Sequence, residues 1–309
     1  MLPHLSQRIS GLTESKLTFA HYTAATTAYK ILSSREIWLN NLTEANDYSE
    51  LQHAKKCIMH CINLEENKRR IAAICDYFSV TEDQFSLEKY VNDKHPERYT
   101  ETYVFCVSEQ DVSETNPENK LGRLSMWRAY GGSKNVSILF NSDLMLRLSS
   151  DHIFTPVLYC DPSNFYPYFD RLLAFLEDHR EEIKRQSKDT FIDIVMSAVE
   201  ILLVSTKHPG FAEEREWRLV RSKAVGPGYL PNPTTELVGS SINRVHKTAL
   251  VQSEQFSDED FAQILDRVII GPTTQPYPSG MAFIELVGTL GPNRMNPPVF
   301  HSEIPIRRE

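Results

Sequence analysis

Apolar and polar positions alternate along Lys16–Thr23, which predicts a strand ending near His21-Tyr22. The period then changes. Ala25, Ala28, Ile31 and Leu32 recur at helical spacing, and Ile37–Asn40 reads as a short strand. Asn41–Asn46 is polar, with Thr43 or Asn46 placed to cap the next helix. From Asp47, the residues Leu51, Ala54, Ile58, Cys61 and Ile62 form one apolar helical stripe. Further helical pieces cover Ile71–Phe78 and Glu82–Val91, and Tyr103–Ser108 is a mostly apolar run that suits a buried strand. Gln110–Lys120 is a polar loop, and Leu124–Tyr130 is a short helix stopped by Gly131-Gly132. Val136–Phe140 and Phe154–Tyr159 read as strands. Asn164–Lys207 reads as one or two long helices, with Ile192, Val195, Val199 and Leu202 facing a core. Glu216–Val220 is a strand and Val225–Thr235 a surface loop. Val245–Val251, Val268–Ile270 and Pro298–Ile304 are further strands, with Phe256–Leu265 helical between the first two.

Strands and helices mix without regular βαβ alternation. The expected fold is therefore α+β, one domain over 1–309 with its core at about 16–305. A mixed or antiparallel sheet is flanked by helices, and 164–207 is a helical insertion packed on it. Composition narrows the class. At 309 residues and 41% hydrophobic, the chain suffices for one large domain or two small ones. A net charge of −8 disfavours gripping nucleic acid by phosphate neutralisation. No apolar run reaches the ~18–20 residues of a membrane span, and Met1–Leu12 lacks the basic start and apolar core of a secretory signal. Five cysteines without a C-x-x-C pair fit a reducing cytoplasm.

The densest chemistry lies in Glu213-Glu214-Arg215-Glu216-Trp217-Arg218. On a strand, Glu214, Glu216 and Arg218 share one face. Two carboxylates there can divide labour, one stabilising positive charge and the other receiving a proton. The plainer alternative is a solvent-facing strand laced with ion pairs. His21, at the end of the first strand, would donate to a ligand hydroxyl or to a loop carbonyl. Trp127 and Tyr130 share a helical face, as core or as a platform for a planar ring. Asp47 and Glu50 suit a helix N-terminus, or would join Glu214 and Glu216 in a two-carboxylate metal site. His53, Cys57 and His60 form a stripe off the apolar face. They lack the second ligand cluster a zinc site needs, so no metal is expected. G-x-S-x-G, P-loop and G-x-G-x-x-G motifs are absent.

In order along the chain stand His21-Tyr22-Thr23, Tyr29–Leu32 with Ile37-Trp38-Leu39, Asn46-Asp47 with Glu50, and Phe105–Ser108. Ser125–Gly131, Glu214–Arg218 and Ile269–Pro272 complete the series. This succession, over about 18–305, resembles a large, mostly bacterial domain-of-unknown-function family, number twenty-nine seventy-one. More distantly its layout is similar to the ADP-ribosyltransferase superfamily. Those enzymes use a first-strand His or Arg, a central aromatic or Ser-x-Ser element and a late Glu-x-Glu strand. The chain departs from that pattern in having no Ser-Thr-Ser, and Ser125 precedes a helix.

The resemblance implies an enzyme that consumes NAD as substrate, by ADP-ribosyl transfer or glycohydrolysis, in bacterial stress or phage defence. Glu216 would hold the ribose 2′-hydroxyl and the developing cation, and Glu214 would orient or deprotonate the acceptor. His21 with Tyr22 would face the ribose. Trp127 or Tyr130 would stack on nicotinamide, and Arg128 or Arg218 would contact the pyrophosphate. The acceptor is a protein, nucleic acid or water. Two other classes stand beside this one: a non-catalytic sensor or interaction module, and a metal-dependent phosphodiesterase using Asp47, Glu50, Glu214 and Glu216.

Overall fold

A computed structural model describes residues 17–43, 48–92, 101–130, 134–148, 152–222, 232–238, 241–250, 261, 263–273, 275–290 and 298–305. Its strands are β1 (Thr18–Ala24), β2 (Glu36–Asn41), β3 (Thr102–Gln110), β4 (Asn135–Asn141), β5 (Ile153–Pro156) and β6 (Leu158–Tyr159). Then come β7 (Thr206–Lys207), β8 (Glu216–Ser222), β9 (Thr234–Val238), β10 (Ser241–Ala249), β11 (Leu265–Ile270) and β12 (Val299–His301). The helices are α1 (Ala25–Ser34), α2 (Tyr48–Ile62), α3 (Glu65–Phe78), α4 (Leu87–Asn92), α5 (Glu118–Leu121) and α6 (Leu124–Ala129). They continue with α7 (Ser142–Leu148), α8 (Tyr166–Asp178), α9 (Arg180–Lys184), α10 (Lys188–Ser205) and α11 (Pro276–Gly288).

Ten strands form one mixed sheet. The order β12-β11-β4-β1-β3-β2-β10-β9 makes its main path, and β8 with β5 branches from β3. β11 and β12 run parallel, and the other pairs are antiparallel. β3 is the branch point. One edge pairs with β8 from Thr102↔Ser222 to Ser108↔Glu216. The other edge pairs with β1 at Ser108–Gln110 and with β2 at Tyr103-Val104. The sheet therefore parts between β1 and β2 alongside Cys106. β1, β3 and β8 thus share one sheet.

Side-chain alternation places a core on each face. Tyr103, Phe105 and Val107 point with Trp217 and Leu219 into a core closed by α1, α7 and α11. Val104 and Val220 point the other way, under α2, α3, α8 and α10. β2 shows clean alternation, with Ile37, Leu39 and Asn41 buried. β1 lies between β3 and β4 and is buried more continuously.

Several expectations change. Phe154–Tyr159 is two strands, of which β6 leaves the main sheet to pair in parallel with β7. The 164–207 stretch holds three helices, and they close a core in which α2 and α3 also take part. α11 and β9 were not foreseen. Helix 82–91 shortens to Leu87–Asn92. Asn46, Asp47, Gly131, Gly132 and most of the 225–235 loop and the 256–265 helix lie outside the described residues. No described helix is long and apolar enough to cross a membrane.

Candidate functional site

β8 opens the site. Because Trp217 and Leu219 serve one core, Glu216 and Arg218 face the opposite, helical layer, where they are 5% and 2% exposed. Register sets Ser108 beside Glu216 and Cys106 beside Arg218. Buried charges persist only when paired. Arg218 Nε donates to Glu216 Oε1 at 2.7 Å, Nη2 to Glu50 Oε2 at 2.6 Å and Nη1 to the Val204 carbonyl at 2.8 Å. The Lys207 ammonium donates to Glu216 Oε2 at 3.0 Å and Glu214 Oε2 at 2.7 Å, and lies 2.8 Å from Glu50 Oε1. Three carboxylates from α2, a turn and β8 thus meet two cations. Lys207 fills the point on which the three converge.

Glu214 does not extend the strand, as the sequence pattern suggested. Pro209–Glu214 forms a 3-10 turn, and Arg215 takes the left-handed conformation at φ 46°, so β8 begins at Glu216. The turn is pinned from behind by the buried Arg123. Its guanidinium donates to the carbonyls of Glu213, Glu214 and Glu109 and to Ser108 Oγ. Ser108 Oγ in turn donates to the Glu214 carbonyl. The Glu216 N–H donates to the Tyr159 hydroxyl at 2.7 Å.

The two carboxylates are driven apart electrostatically. Burial works against an ionised Glu216, but the Arg218 and Lys207 cations, with hydrogen bonds from Arg218 and the Cys106 thiol, override it and hold Glu216 down to about 2. Burial, with the Glu216 charge nearby, keeps Glu214 above its ordinary range despite its bond to Lys207. Burial would lower Lys207, yet Glu216, Glu50 and Glu214 hold its ammonium well above the usual lysine range. Tyr130 follows α6 and is 43% exposed. Desolvation and the Glu214 and Glu216 charges push its hydroxyl up. Tyr159 is raised for the same reasons.

The other expected site residues are distributed more widely. His21 Nδ1 lies 2.9 Å from the Cys106 carbonyl, where β1 has parted from β3, and its ring stacks on Phe105 at 4.3 Å. Desolvation lowers His21 to about 4, so the ring is neutral, donates through Nδ1 and leaves Nε2 an acceptor. This reverses the expected donor role toward a ligand. His21 also lies on the Phe105 face of the sheet, whereas Glu216 lies on the Ser108 face. Tyr22 is buried; its hydroxyl donates to Gln110 and accepts from the Arg123 N–H. Trp127 is 2% exposed, donates Nε1–H to the Leu121 carbonyl at 2.8 Å and meets Tyr22 edge-on at 4.7 Å. Its surroundings are core, with no face open for a ligand ring. Arg128 is exposed on α6. Arg218 has its nitrogens engaged by carboxylates and a carbonyl, so it serves Glu216 and is not turned toward a pyrophosphate.

On α2 the stripe splits. Cys57 is buried in the core, contrary to its expected place off the apolar face, and His60 is exposed. His53 bonds the Cys160 carbonyl at 2.8 Å. Among the described residues no group of three or more His, Cys, Asp or Glu is placed to hold a metal ion. The residues that sequence reasoning missed are Lys207, Cys106, Arg123 and Tyr159. Lys207, Arg123 and Tyr159 are isolated polar residues with no local pattern to mark them, and Cys106 stands in an apolar strand run that marks it as core.

No curated protein and no solved structure matches the chain. Residues 126–219, from α6 through the Glu216-Trp217-Arg218 start of β8, match the model of the family described as Protein of unknown function (DUF2971).

Proposed function

We propose that the chain is an NAD-consuming enzyme of ADP-ribosyltransferase type, built on Glu216 and Glu214. The observation that carries this reading is the Glu214–Lys207–Glu216 bridge. Cleaving the bond between nicotinamide and ribose leaves an oxocarbenium-like centre, which a fixed carboxylate stabilises. Glu216, held ionised, suits that role. Glu214, with its higher proton affinity, suits removing a proton from the acceptor. Tyr130 replaces Trp127 as the aromatic that reaches a bound ring. The exposed Arg128 is the guanidinium left for a pyrophosphate, and His21, on the other face of the sheet from Glu216, takes no part in this site. The acceptor is a protein, nucleic acid or water.

A second reading, a non-catalytic module, draws on the fact that both Glu216 oxygens already meet cations. Incubation with NAD separates the two. Wild type should release nicotinamide, and Glu216→Gln should lose about a hundredfold or more, the ~3 kcal/mol of one preorganised charge contact. No release by wild type would leave the module.

A further inference from the structure

Lys207 was marked by no motif, yet it is the most connected polar atom of the site. It ends the short β7, directly after α10, where β6 pairs beside it and the Cys160 N–H donates to its carbonyl at 3.1 Å. Its side chain is almost wholly enclosed, and the Phe211 ring lies 4.9 Å from the ammonium. An ammonium is buried at heavy cost unless several acceptors surround it. Here three do, each on a different element: Glu50 on α2, Glu214 on the turn and Glu216 on β8. Arg218 also holds Glu50 and Glu216, but not Glu214.

We propose that Lys207 is a positioning residue of the site: its ammonium gathers Glu50, Glu214 and Glu216 onto one point and makes Glu214 and Glu216 chemically unequal. The inequality arises from the neighbours. Among the described residues, Glu216 has two cations on its two oxygens, whereas Glu214 has Lys207 alone. Among the described residues, the other titratable groups that interact with the cluster are Cys106 from β3, Tyr130 after α6 and Tyr159 from β6. Both tyrosine hydroxyls are pushed up and stay neutral at physiological pH, so among the described residues the balance rests on Lys207 and Arg218. Without the ammonium, Glu50 and Glu216 would share Arg218, and Glu214 would face their charge uncompensated and take up a proton. The inference deepens the NAD-consuming reading and rests on it for its catalytic meaning.

The test reads the carboxylates directly. Full-length protein carrying carbon-13 at the Glu side-chain carboxyls is titrated by NMR as wild type and as Lys207→Met, with Glu214→Gln and Glu216→Gln assigning the two signals. Wild type should show two separate midpoints, Glu216 below Glu214. In Lys207→Met the Glu214 midpoint should rise by roughly one to three pH units, as for loss of an opposite charge in contact. The acid limb of nicotinamide release should move up with it, which a merely structural role would not produce. Unchanged midpoints in folded Lys207→Met would overturn the proposal. Should that variant not fold, wild type decides: Glu214 and Glu216 titrating together in the ordinary carboxylate range would overturn it, and separate midpoints support it. Absence of nicotinamide release from wild type would remove the NAD reading alone, because the carboxyl titration still decides the role of Lys207.

Discussion

Glu216 stays ionised in the interior because each of its oxygens meets a cation, and this sets what Glu216→Gln should do to stability. An exposed ion pair would be worth about 0–1 kcal/mol, and a nearly unchanged fold was the natural expectation from the sequence. Buried bonds to charged groups are worth more. Glu216→Gln should cost about 2 kcal/mol of unfolding free energy by urea titration, so its turnover must be measured below the lowered Tm. Trp127→Ala should behave oppositely. Removing a buried indole costs about 3–5 kcal/mol, while nicotinamide release by the remaining folded protein should stay near wild type, since no open face of Trp127 is lost. A large rate loss with little change in stability would return Trp127 to the site. The Glu-x-Glu-Trp-Arg run was legible as chemistry from its charge density. Lys207 and Arg123 were not, because a lone cation carries no period and acquires partners only through long-range packing.

Two elements owe their form to glycine and proline in ways the pattern concealed. Gly122, between α5 and α6, has φ +66°, and a Cβ there would sit 2.8 Å from Trp127 Cζ2. Gly122→Ala combines a left-handed penalty of ~1–2 kcal/mol with overpacking of ~1–3 kcal/mol. It should lower the unfolding free energy by about 2–5 kcal/mol in urea titration, and a cost below 1 kcal/mol would mean that the indole moves aside freely. α11 was unforeseen because Pro276, Pro278 and Gly280 obscure its helical period. Proline is tolerated in a first helical turn, where its missing N–H has no partner to lose. Gly280 admits the His301 ring of β12 against the helix. The 3-10 turn before β8 was missed for a related reason: alternation extends backward through Arg215, whereas Arg123 and Ser108 hold the Glu213 and Glu214 carbonyls off the strand path.

Across the whole molecule, buried histidines and Glu216 define how stability responds to acid. His21 and His246 lie at about 4, below the ordinary 6.5, chiefly through desolvation. The folded protein therefore binds fewer protons than the unfolded chain. Their contribution is complete above 6.5 and is lost as pH falls to about 4. Glu216 extends the loss from 4.5 down to about 2, and Glu214, shifted upward, offsets part of it. Each group contributes at most about 3 kcal/mol. Urea midpoints should fall in this window, and His246→Gln should flatten the slope between 6.5 and 4; an identical slope in that variant would show that His246 titrates normally in the fold. The chain by itself determined most of the strands and helices and the apolar face of most of them, because periods of two and 3.6 residues are local properties of the backbone. It also marked Glu214 and Glu216 as the place to look. Only the tertiary structure decided that Glu50 and Lys207 meet them, that Trp127 is core and that His21 lies across the sheet. An apolar stripe specifies that a face is buried, but the mutual packing of all the faces selects which other face covers it.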